Sequence, residues 1–272
     1  MKKSLLAALL FVVAAPTTFA QFAPPIDTVF TENFDGTLSA DSIAANFNTD
    51  STNATRSWND TTFLKTSGTR SFHTQCFAND SIIFETDDFT TIGYTNVRFT
   101  FDQICKIRYI QKGTIQMSRD DGTTWVNLTG TEYQGGSPQF SSQGWFNELS
   151  YPSALLSPYW QGPTIGNSNS GVTPTNTWWA RETFDLSAYL GAYDATNSQN
   201  GFAQCKIRFI MNNKTGTPSP SGLAGWFVDN IMIEGAPCEL EPPTLDWVGI
   251  NPQAKPIGAR YMPTQNVRVE GK

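Results

Sequence analysis

Histidine and charged side chains are scarce in this sequence. It contains one histidine, His73, and only 15% of its residues are charged. The H-E-x-x-H and G-x-S-x-G motifs are absent, and no Cys–His pair lies at a plausible catalytic site. A glycosidase needs only two carboxylates, for which Glu148, Glu182 and Asp185 are the candidates. Because no assembled catalytic constellation supports them, the sequence predicts a protein that is not an enzyme.

Positive charge is also in short supply. Asp and Glu outnumber Lys and Arg by 24 to 18, which gives a net charge of −6 and a sequence pI of about 4.8. Binding to nucleic acid or to anionic lipids needs a basic face, so the composition argues against both partners. After the N-terminus, no run is apolar enough to span a bilayer, which takes roughly 20 residues.

The N-terminus has the three parts of a secretory signal peptide. Lys2 begins a basic segment, residues 5–13 form an apolar segment, and Ala20 ends a small-residue cleavage site. The apolar segment is too short to span a bilayer. The sequence therefore predicts cleavage near Ala20 and a protein that is secreted or held at the cell surface, without insertion into a membrane.

Alternation of apolar and polar residues predicts strands along most of the mature chain. Strand signals cover Thr28–Phe34, Arg70–Cys76, Ser81–Thr86, Val97–Ile110, Ala203–Met211 and Gly225–Glu234. Gln103 and Ile104 break the alternation of their strand and predict a bulge. Helix signals are limited to single turns at Asp41–Phe47 and Leu186–Leu190. With 13% aromatic residues, the pattern indicates an all-β sandwich with a long loop insertion within Gly130–Asn176.

Prolines mark the end of this sandwich. Pro237, Pro242 and Pro243 are typical of a linker, and the alternation of Asn266–Glu270 indicates a further strand. We therefore expect a β-sandwich domain over residues 21–236. Residues 237–272 are expected to form a linker and the start of a second β module of a longer protein.

The four cysteines have no C-x-x-C spacing, which argues against a zinc site. Exported proteins meet oxidising conditions, and four cysteines permit three pairings. Cys105 and Cys205 fall on the inward faces of two predicted strands. They either form a disulfide or remain as two buried thiols.

The segment Ser118–Trp125 matches the Asp-box pattern S-x-D-x-G-x-T-W at every defined position. In a hairpin, Asp120 can accept hydrogen bonds from turn backbone N–H groups, Gly122 can adopt a positive φ, and Trp125 can pack under the turn. Sialidases are locally similar, and there the box is a structural hairpin remote from catalysis. We predict a folding element here.

Two further motifs lie at the ends of the sandwich. Residues 30–36 read Phe-Thr-Glu-Asn-Phe-Asp-Gly, and residues 225–231 read Gly-Trp-Phe-Val-Asp-Asn-Ile. Together with the Asp-box segment between them, they resemble the jelly-roll domains of the MAM and concanavalin-like type in exported bacterial proteins, which are often type IX secretion cargo. The resemblance covers Val29–Gly235. It implies a two-sheet antiparallel jelly-roll sandwich in which the first and last strands come together.

The same resemblance implies a structural Ca²⁺ site where the two ends meet. Its hard oxygen ligands would come from Glu32, Asp35 and Asp229, whereas calcium needs six to eight oxygens in all. The alternative is that Asp35 and Asp229 cap turns and satisfy backbone N–H groups.

Aromatic residues cluster in and beside the long loop. Sugar rings stack on exposed aromatic faces while neighbouring amide and carboxylate groups bind their hydroxyls. In the pair Trp178-Trp179, alternation is expected to bury one ring and expose the other. The alternative is that the rings fold the loop onto the sandwich. The predicted ligand-binding residues are Trp145, Tyr159, Trp160 and Trp178.

The sequence thus predicts a non-catalytic binding or adhesion module with a glycan as the favoured ligand. One alternative is a structural or accessory subunit of a surface assembly, held by protein–protein contacts. Another is the targeting domain of a truncated hydrolase. An exposed row of rings favours the glycan, a wide apolar patch favours protein contacts, and an active-site domain encoded after Lys272 favours the hydrolase.

Overall fold

The computed structural model describes residues 26–35, 48–51, 58–75, 80–107, 110–150, 173–213 and 225–238. The strands in these ranges are β1 (Asp27–Glu32), β2 (Asn48–Ser51), β3 (Asn59–Thr61), β4 (Ser71–Thr74), β5 (Asp80–Glu85), β6 (Arg98–Lys106), β7 (Lys112–Ser118), β8 (Val126–Asn127), β9 (Ala180–Asp185), β10 (Tyr193–Asp194), β11 (Gln199–Asn200), β12 (Lys206–Asn213) and β13 (Gly225–Gly235). The helices are α1 (Pro138–Gln143) and α2 (Ser187–Leu190), with 3₁₀ turns at Glu148–Ser150 and Asn176–Trp178. Neither helix has the length or apolarity to cross a membrane.

The strands form two antiparallel sheets and a small β10–β11 hairpin. One sheet has six strands in the order β3-β4-β13-β6-β9, with β1 also paired to β13, and the other has five in the order β2-β5-β12-β7-β8. The first and last described strands pair from Asp27 with Gly235 to Glu32 with Ile231. The predicted all-β, two-sheet antiparallel sandwich of jelly-roll type is confirmed.

Aromatic rings fill the space between the sheets. Phe101 of β6 meets Phe209 of β12 with ring centroids 5.1 Å apart and ring planes at 87°. Trp226 of β13 lies 5.7 Å from Phe209, and all three rings are at most 2% exposed. Because alternate residues of each strand point inwards, the period of two in the sequence translates directly into this shared core.

Strand β6 contains no bulge at Gln103 and Ile104, so that prediction is wrong. Its pairing with β9 runs without interruption from Arg98 to Gln103. Gln103 points inwards and forms hydrogen bonds in the core, whereas Ile104 points outwards into a second apolar cluster. The register shift lies in β13, between Asp229 and Met232, where Asn230 has a φ of 49°.

The Asp-box segment forms the predicted hairpin between β7 and β8. Asp120 Oδ1 accepts hydrogen bonds from Ser118 Oγ at 2.8 Å and from the Thr124 backbone N–H at 2.9 Å. Gly122 has a φ of 77°, and a Cβ there would lie 3.2 Å from the Trp125 ring. The segment is a folding element, as the sequence predicts.

Other predictions have mixed outcomes. The turn at Leu186–Leu190 appears as α2. Cys105 and Cys205 are both buried and are not joined by a disulfide, so the alternative of two buried thiols is the one observed. Predictions outside the described residues concern the signal peptide 1–20, the turn at Asp41–Phe47, the ring positions Tyr159 and Trp160, and residues 239–272.

Candidate functional site

The outer surface of the six-stranded sheet combines aromatic, charged and amide side chains. We call this surface the β6 face, because the outward residues of β6 and their partners on β9 and β13 form its centre. Ile104 lies beside Phe227, and Asp102 lies beside Arg181. The face therefore has an apolar part and a polar part on adjoining rows of the same sheet.

The apolar part is a cluster separate from the core, formed by Leu64, Ile104, Trp178 and Phe227. Three rings surround it. His73 stacks on Phe227 with centroids 4.2 Å apart, and Phe63 lies 6.3 Å from the same ring with 58% of its surface exposed. Half-buried Trp179 packs against the cluster from the side of β9. The rings of Phe63 and Trp179 are thus supported from below and open to solvent.

Asn176 fixes the two loops that carry these rings. Its Oδ1 accepts a hydrogen bond from the Lys65 backbone N–H at 3.1 Å and one from Trp179 Nε1 at 3.4 Å. The loop before β4 and the turn before β9 are thereby joined above the sheet. Such a contact limits the motion of the Trp179 indole and holds its position relative to Phe63.

The polar part centres on the carboxylate of Asp102, which is only 7% exposed. Arg181 donates to both of its oxygens at 2.9 Å, and Asn230 Nδ2 donates to Oδ2 at 2.8 Å. The hydrogen bonds from Arg181 to Asp102 raise the pKa of the Arg181 guanidinium. The Arg181 side chain is 51% exposed, so a fixed guanidinium faces solvent next to the aromatic part.

A pocket of about 260 Å³ lies at the far end of the β6 face. Arg98 on its rim donates to Glu234 Oε2 at 3.0 and 2.6 Å. The residues that line the pocket are Ile26, Asn96, Val97, Arg98, Gln134, Asp185, Ser187, Glu234 and Ala236. The face therefore extends from two supported rings, across an ordered polar network, to a concave end with amide and charged groups.

Of the predicted ligand-binding residues, the structure describes Trp145 and Trp178, and these two lie apart. Trp178 is 4% exposed and lies below the Lys106 ammonium, 5.3 Å from its ring centroid, so it has no open face for stacking. Alternation does bury one ring of the Trp178-Trp179 pair, but the half-exposed ring is Trp179. Trp145 lies on the other sheet, while Tyr159 and Trp160 lie outside the described residues.

The three predicted calcium ligands are already bonded to the protein. Glu32 Oε1 accepts from the Phe34 N–H at 2.6 Å, Asp35 Oδ1 from the Thr69 N–H at 2.5 Å, and Asp229 Oδ2 from the Thr66 N–H at 2.9 Å. Burial raises the pKa of Glu32 and of Asp229. Among the described residues, no group of three or more His, Cys, Asp or Glu side chains is arranged to hold a metal ion. Their contacts match the turn-capping alternative, and the calcium site stays a prediction.

The candidate catalytic carboxylates occupy three different environments. Asp185 is exposed at the pocket and accepts from the Ser187 N–H at 3.0 Å, whereas Glu148 is 2% exposed. Glu182 lies inside the sandwich, where Gln103 Nε2 donates to it at 2.8 Å and the Tyr133 hydroxyl donates to its other oxygen. The pocket on the β6 face is lined by Asp185 and by neither Glu148 nor Glu182.

The Glu182 network is a buried feature that the sequence prediction missed. Trp226 Nε1 donates to Gln103 Oε1 at 2.7 Å, and burial raises the pKa of Glu182 to about 7. A Cβ on Gly135 would lie 2.5 Å from Glu182 Oε2, so the covering loop seals the carboxyl from a substrate. The signal for it was Gln103, a polar residue at an inward position of a core strand.

Comparison with known proteins finds only distant similarity, and only among solved structures. No protein-family model matches the sequence, and no curated protein matches it significantly. Among solved structures, the chain is similar to the K2 cleaved adhesin domain of Lys-gingipain, with 11% identity, coverage of 76% of this chain and 98% of that one, and a TM-score of 0.40. The CBM22-1 xylan-binding domain from Paenibacillus barcinonensis Xyn10C shows 8% identity, coverage of 79% and 98%, and a TM-score of 0.37.

A third similar structure is the Endo-D glycoside hydrolase domain from Streptococcus pneumoniae R6. It shows 11% identity and a TM-score of 0.35, and the match covers 71% of this chain but only 22% of that one. The structural neighbours are mainly β-sandwich carbohydrate-binding modules and adhesin domains. With TM-scores of 0.35 to 0.40, these similarities carry no argument about function, and the functional interpretation rests on the surface residues of this chain.

Proposed function

We propose that this protein is a secreted or cell-surface adhesion module that binds a glycan on the β6 face. The observation that supports this most directly is the pair of supported, solvent-facing rings of Phe63 and Trp179 beside the Arg181–Asp102–Asn230 network. The apolar side of a sugar ring stacks on such rings, and its hydroxyls pair with fixed guanidinium, carboxylate and amide groups. Both requirements are met within one sheet surface.

A non-catalytic role is part of the proposal. Glycoside hydrolysis needs two carboxyl groups that flank the bond to be cleaved. Here Glu182 is sealed in the core, whereas Asp185 lies at the exposed pocket and is hydrogen-bonded to Ser187. This arrangement supports recognition without cleavage.

The proposed export and domain boundaries of the module are based on the sequence. We propose that the signal peptide is removed near Ala20, that residues 21–236 form the binding domain, and that residues 237–272 form a linker to further β structure. The resemblance to MAM and concanavalin-like jelly rolls favours export as type IX secretion cargo. Structural Ca²⁺ held by Glu32, Asp35 and Asp229 remains a part of this proposal that a chelator can test.

The direct test is a glycan array probed with the mature protein from Gln21 onward, followed by titration of any ligand found. Phe63→Ala and Trp179→Ala should each weaken binding at least fivefold, which corresponds to about 1 kcal/mol for one stacked ring. Tyr193→Ala is the matched control, because Tyr193 is 62% exposed on the separate β10–β11 hairpin. Loss of binding in EDTA would support the calcium site.

Two outcomes would contradict the β6 face as the glycan site. One is glycan binding that both aromatic variants retain at full strength. The other is a folded wild-type protein that binds no glycan on the array, which would favour protein–protein contacts in a surface assembly.

A further inference from the structure

The outer surface of the five-stranded sheet carries two tryptophans, each with a cation over its ring. We call this surface the β7 face. Gly113 of β7 forms a bridge with Phe146, whose ring is buried. Phe146 points into the core, and neighbouring residues of a strand point to opposite sides of the sheet. Trp145, the residue before it, therefore lies on the outer surface, where it contacts Lys112.

The second tryptophan of the β7 face comes from the Asp-box hairpin. Asn127 of β8 is paired with outward-facing Gln116, and Trp125 lies two residues earlier on the same side. The Gln116 and Asn127 amides are joined by a hydrogen bond of 2.5 Å. Both tryptophans of the face are half-buried.

A cation lies over each of these rings. Lys112 Nζ is 3.7 Å from the Trp145 centroid, and Arg208 Cζ is 4.0 Å from the Trp125 centroid. Arg208 also donates to Gln116 Oε1 at 2.5 Å and lies 3.5 Å from a Glu85 oxygen. Its charge is therefore shared with a carboxylate and held in a fixed orientation.

The charge of Lys112 is not compensated in this way. Lys112 is exposed, and within the described ranges no carboxylate lies at ion-pair distance from it. An exposed ammonium on a ring gains only about 0.5–1 kcal/mol from the contact, so it remains available to a stronger anionic partner. The whole chain has a net charge of −6. The uncompensated positive charge of Lys112 is therefore specific to this part of the surface and does not reflect a basic protein.

The two cation–ring pairs stand apart along the sheet. Lys112 pairs with Asn212 and Gln116 with Arg208, four residues further along β7, which is roughly 13 Å at the rise of an antiparallel strand. Between them lie Thr114 and the 8% exposed Ile210. The face therefore offers two ring-and-cation positions at a fixed separation, with a threonine and a largely buried isoleucine between them.

We propose that the β7 face is a second binding site and that its ligand is a linear acidic polysaccharide. Its carboxylate groups contact Lys112, and its sugar rings pack against the accessible parts of Trp145 and Trp125, whose faces carry the two cations. Aromatic rings alone would serve a neutral sugar, whereas the uncompensated charge of Lys112 adds affinity only for a ligand that carries negative charge. This site is separate from the β6 face and does not depend on it.

The probe is polygalacturonate, compared with the same polymer after complete methyl esterification, which removes the charge and keeps the sugar chain. The mature protein should bind the acid at least tenfold more tightly than the ester, and the acid should bind more weakly as NaCl rises. Lys112→Met should weaken binding of the acid at least fivefold, and Trp145→Ala should weaken it similarly. Lys65→Met is the matched control, because it removes one lysine charge on the opposite sheet.

Thermal unfolding followed by circular dichroism establishes that each variant is folded. The proposal is overturned by equal binding of acid and ester, by no binding of the acid, or by equal affinities of the folded Lys112→Met and Lys65→Met variants. The variants Phe63→Ala and Trp179→Ala alter only the β6 face, so their affinity for the acid tests whether the two sites are distinct. Loss of acid binding in those variants would place the acidic ligand on the β6 face and contradict a second site.

Discussion

Glu182 is a buried carboxyl group whose pKa is strongly raised. Its ordinary pKa of 4.5 is raised to about 7, chiefly by burial, while the hydrogen bonds from Tyr133 and Gln103 oppose that rise. The folded state therefore binds a proton more tightly than the unfolded state. The contribution of Glu182 to the free energy of unfolding is fully present below about pH 4.5 and is lost as the pH rises through about 7.

Replacing Glu182 with glutamine should abolish this pH dependence. An amide stays neutral and can still accept from Gln103 and donate to the Tyr133 oxygen, so Glu182→Gln should be more stable than wild type at pH 8 by on the order of 3 kcal/mol. At pH 4 the two proteins should unfold at nearly the same urea concentration. Asp88→Asn, at an exposed carboxylate, serves as the control. A pH-independent stability difference between Glu182→Gln and wild type would contradict this assignment.

At the scale of single elements, the Asp-box hairpin provides the next prediction. Asp120→Ala removes an acceptor for the Thr124 N–H and for the hydroxyls of Ser118 and Thr124. The expected cost is at least about 1.5 kcal/mol of unfolding free energy, since each of the three bonds contributes about 0.5–1.5 kcal/mol net. Urea unfolding measures it.

The neighbouring Asp121→Asn provides a control for this hairpin. It removes only an exposed ion pair with Lys206, which is worth less than about 1 kcal/mol, and asparagine tolerates the φ of 55° found there. Equal losses in Asp120→Ala and Asp121→Asn would show that the Asp120 hydrogen bonds do not stabilise the hairpin.

Regular strands are the elements that the sequence predicts well. A period of two in β6 and β12 identifies both inward faces, and the Asp-box residues define the β7–β8 turn through local hydrogen bonds. Polarity alone does not identify the inward and outward residues of every strand. Gln103 and Ile104 follow the alternation of β6, but a buried glutamine and an outward isoleucine are intelligible only once the partners from β9 and β13 are known.

The candidate site was less predictable, for a related reason. Phe63, Asn176 and Trp179 lie in irregular segments, where no periodicity fixes the direction of a side chain. Asp102 and Arg181 are more than seventy residues apart in sequence and become partners only through the pairing of β6 with β9. A ring-rich sequence can thus indicate stacking without identifying which rings are supported and open.

At the scale of the whole molecule, the two proposed faces lie on opposite sheets of one sandwich with a shared aromatic core. Because the two sheets share one core, they are expected to unfold together. Two cysteines of the chain, one beside each sheet, make this expectation testable. Cys105 belongs to β6 of the six-stranded sheet, whereas Cys205 forms a bridge with Phe89 beside β12 of the five-stranded sheet. Both thiols are fully buried.

Burial raises the pKa of both thiols, to about 11 for Cys205, so neither should react with a maleimide at pH 7 while the sandwich is folded. In increasing urea, both should become labelled at the same rate, which equals the rate of global opening, because one core joins the sheets. Peptide mass spectrometry of the reduced mature protein resolves the two sites. Faster labelling of Cys205 than of Cys105 would show that the five-stranded sheet opens separately, and the β7 face would then be less stable than the β6 face.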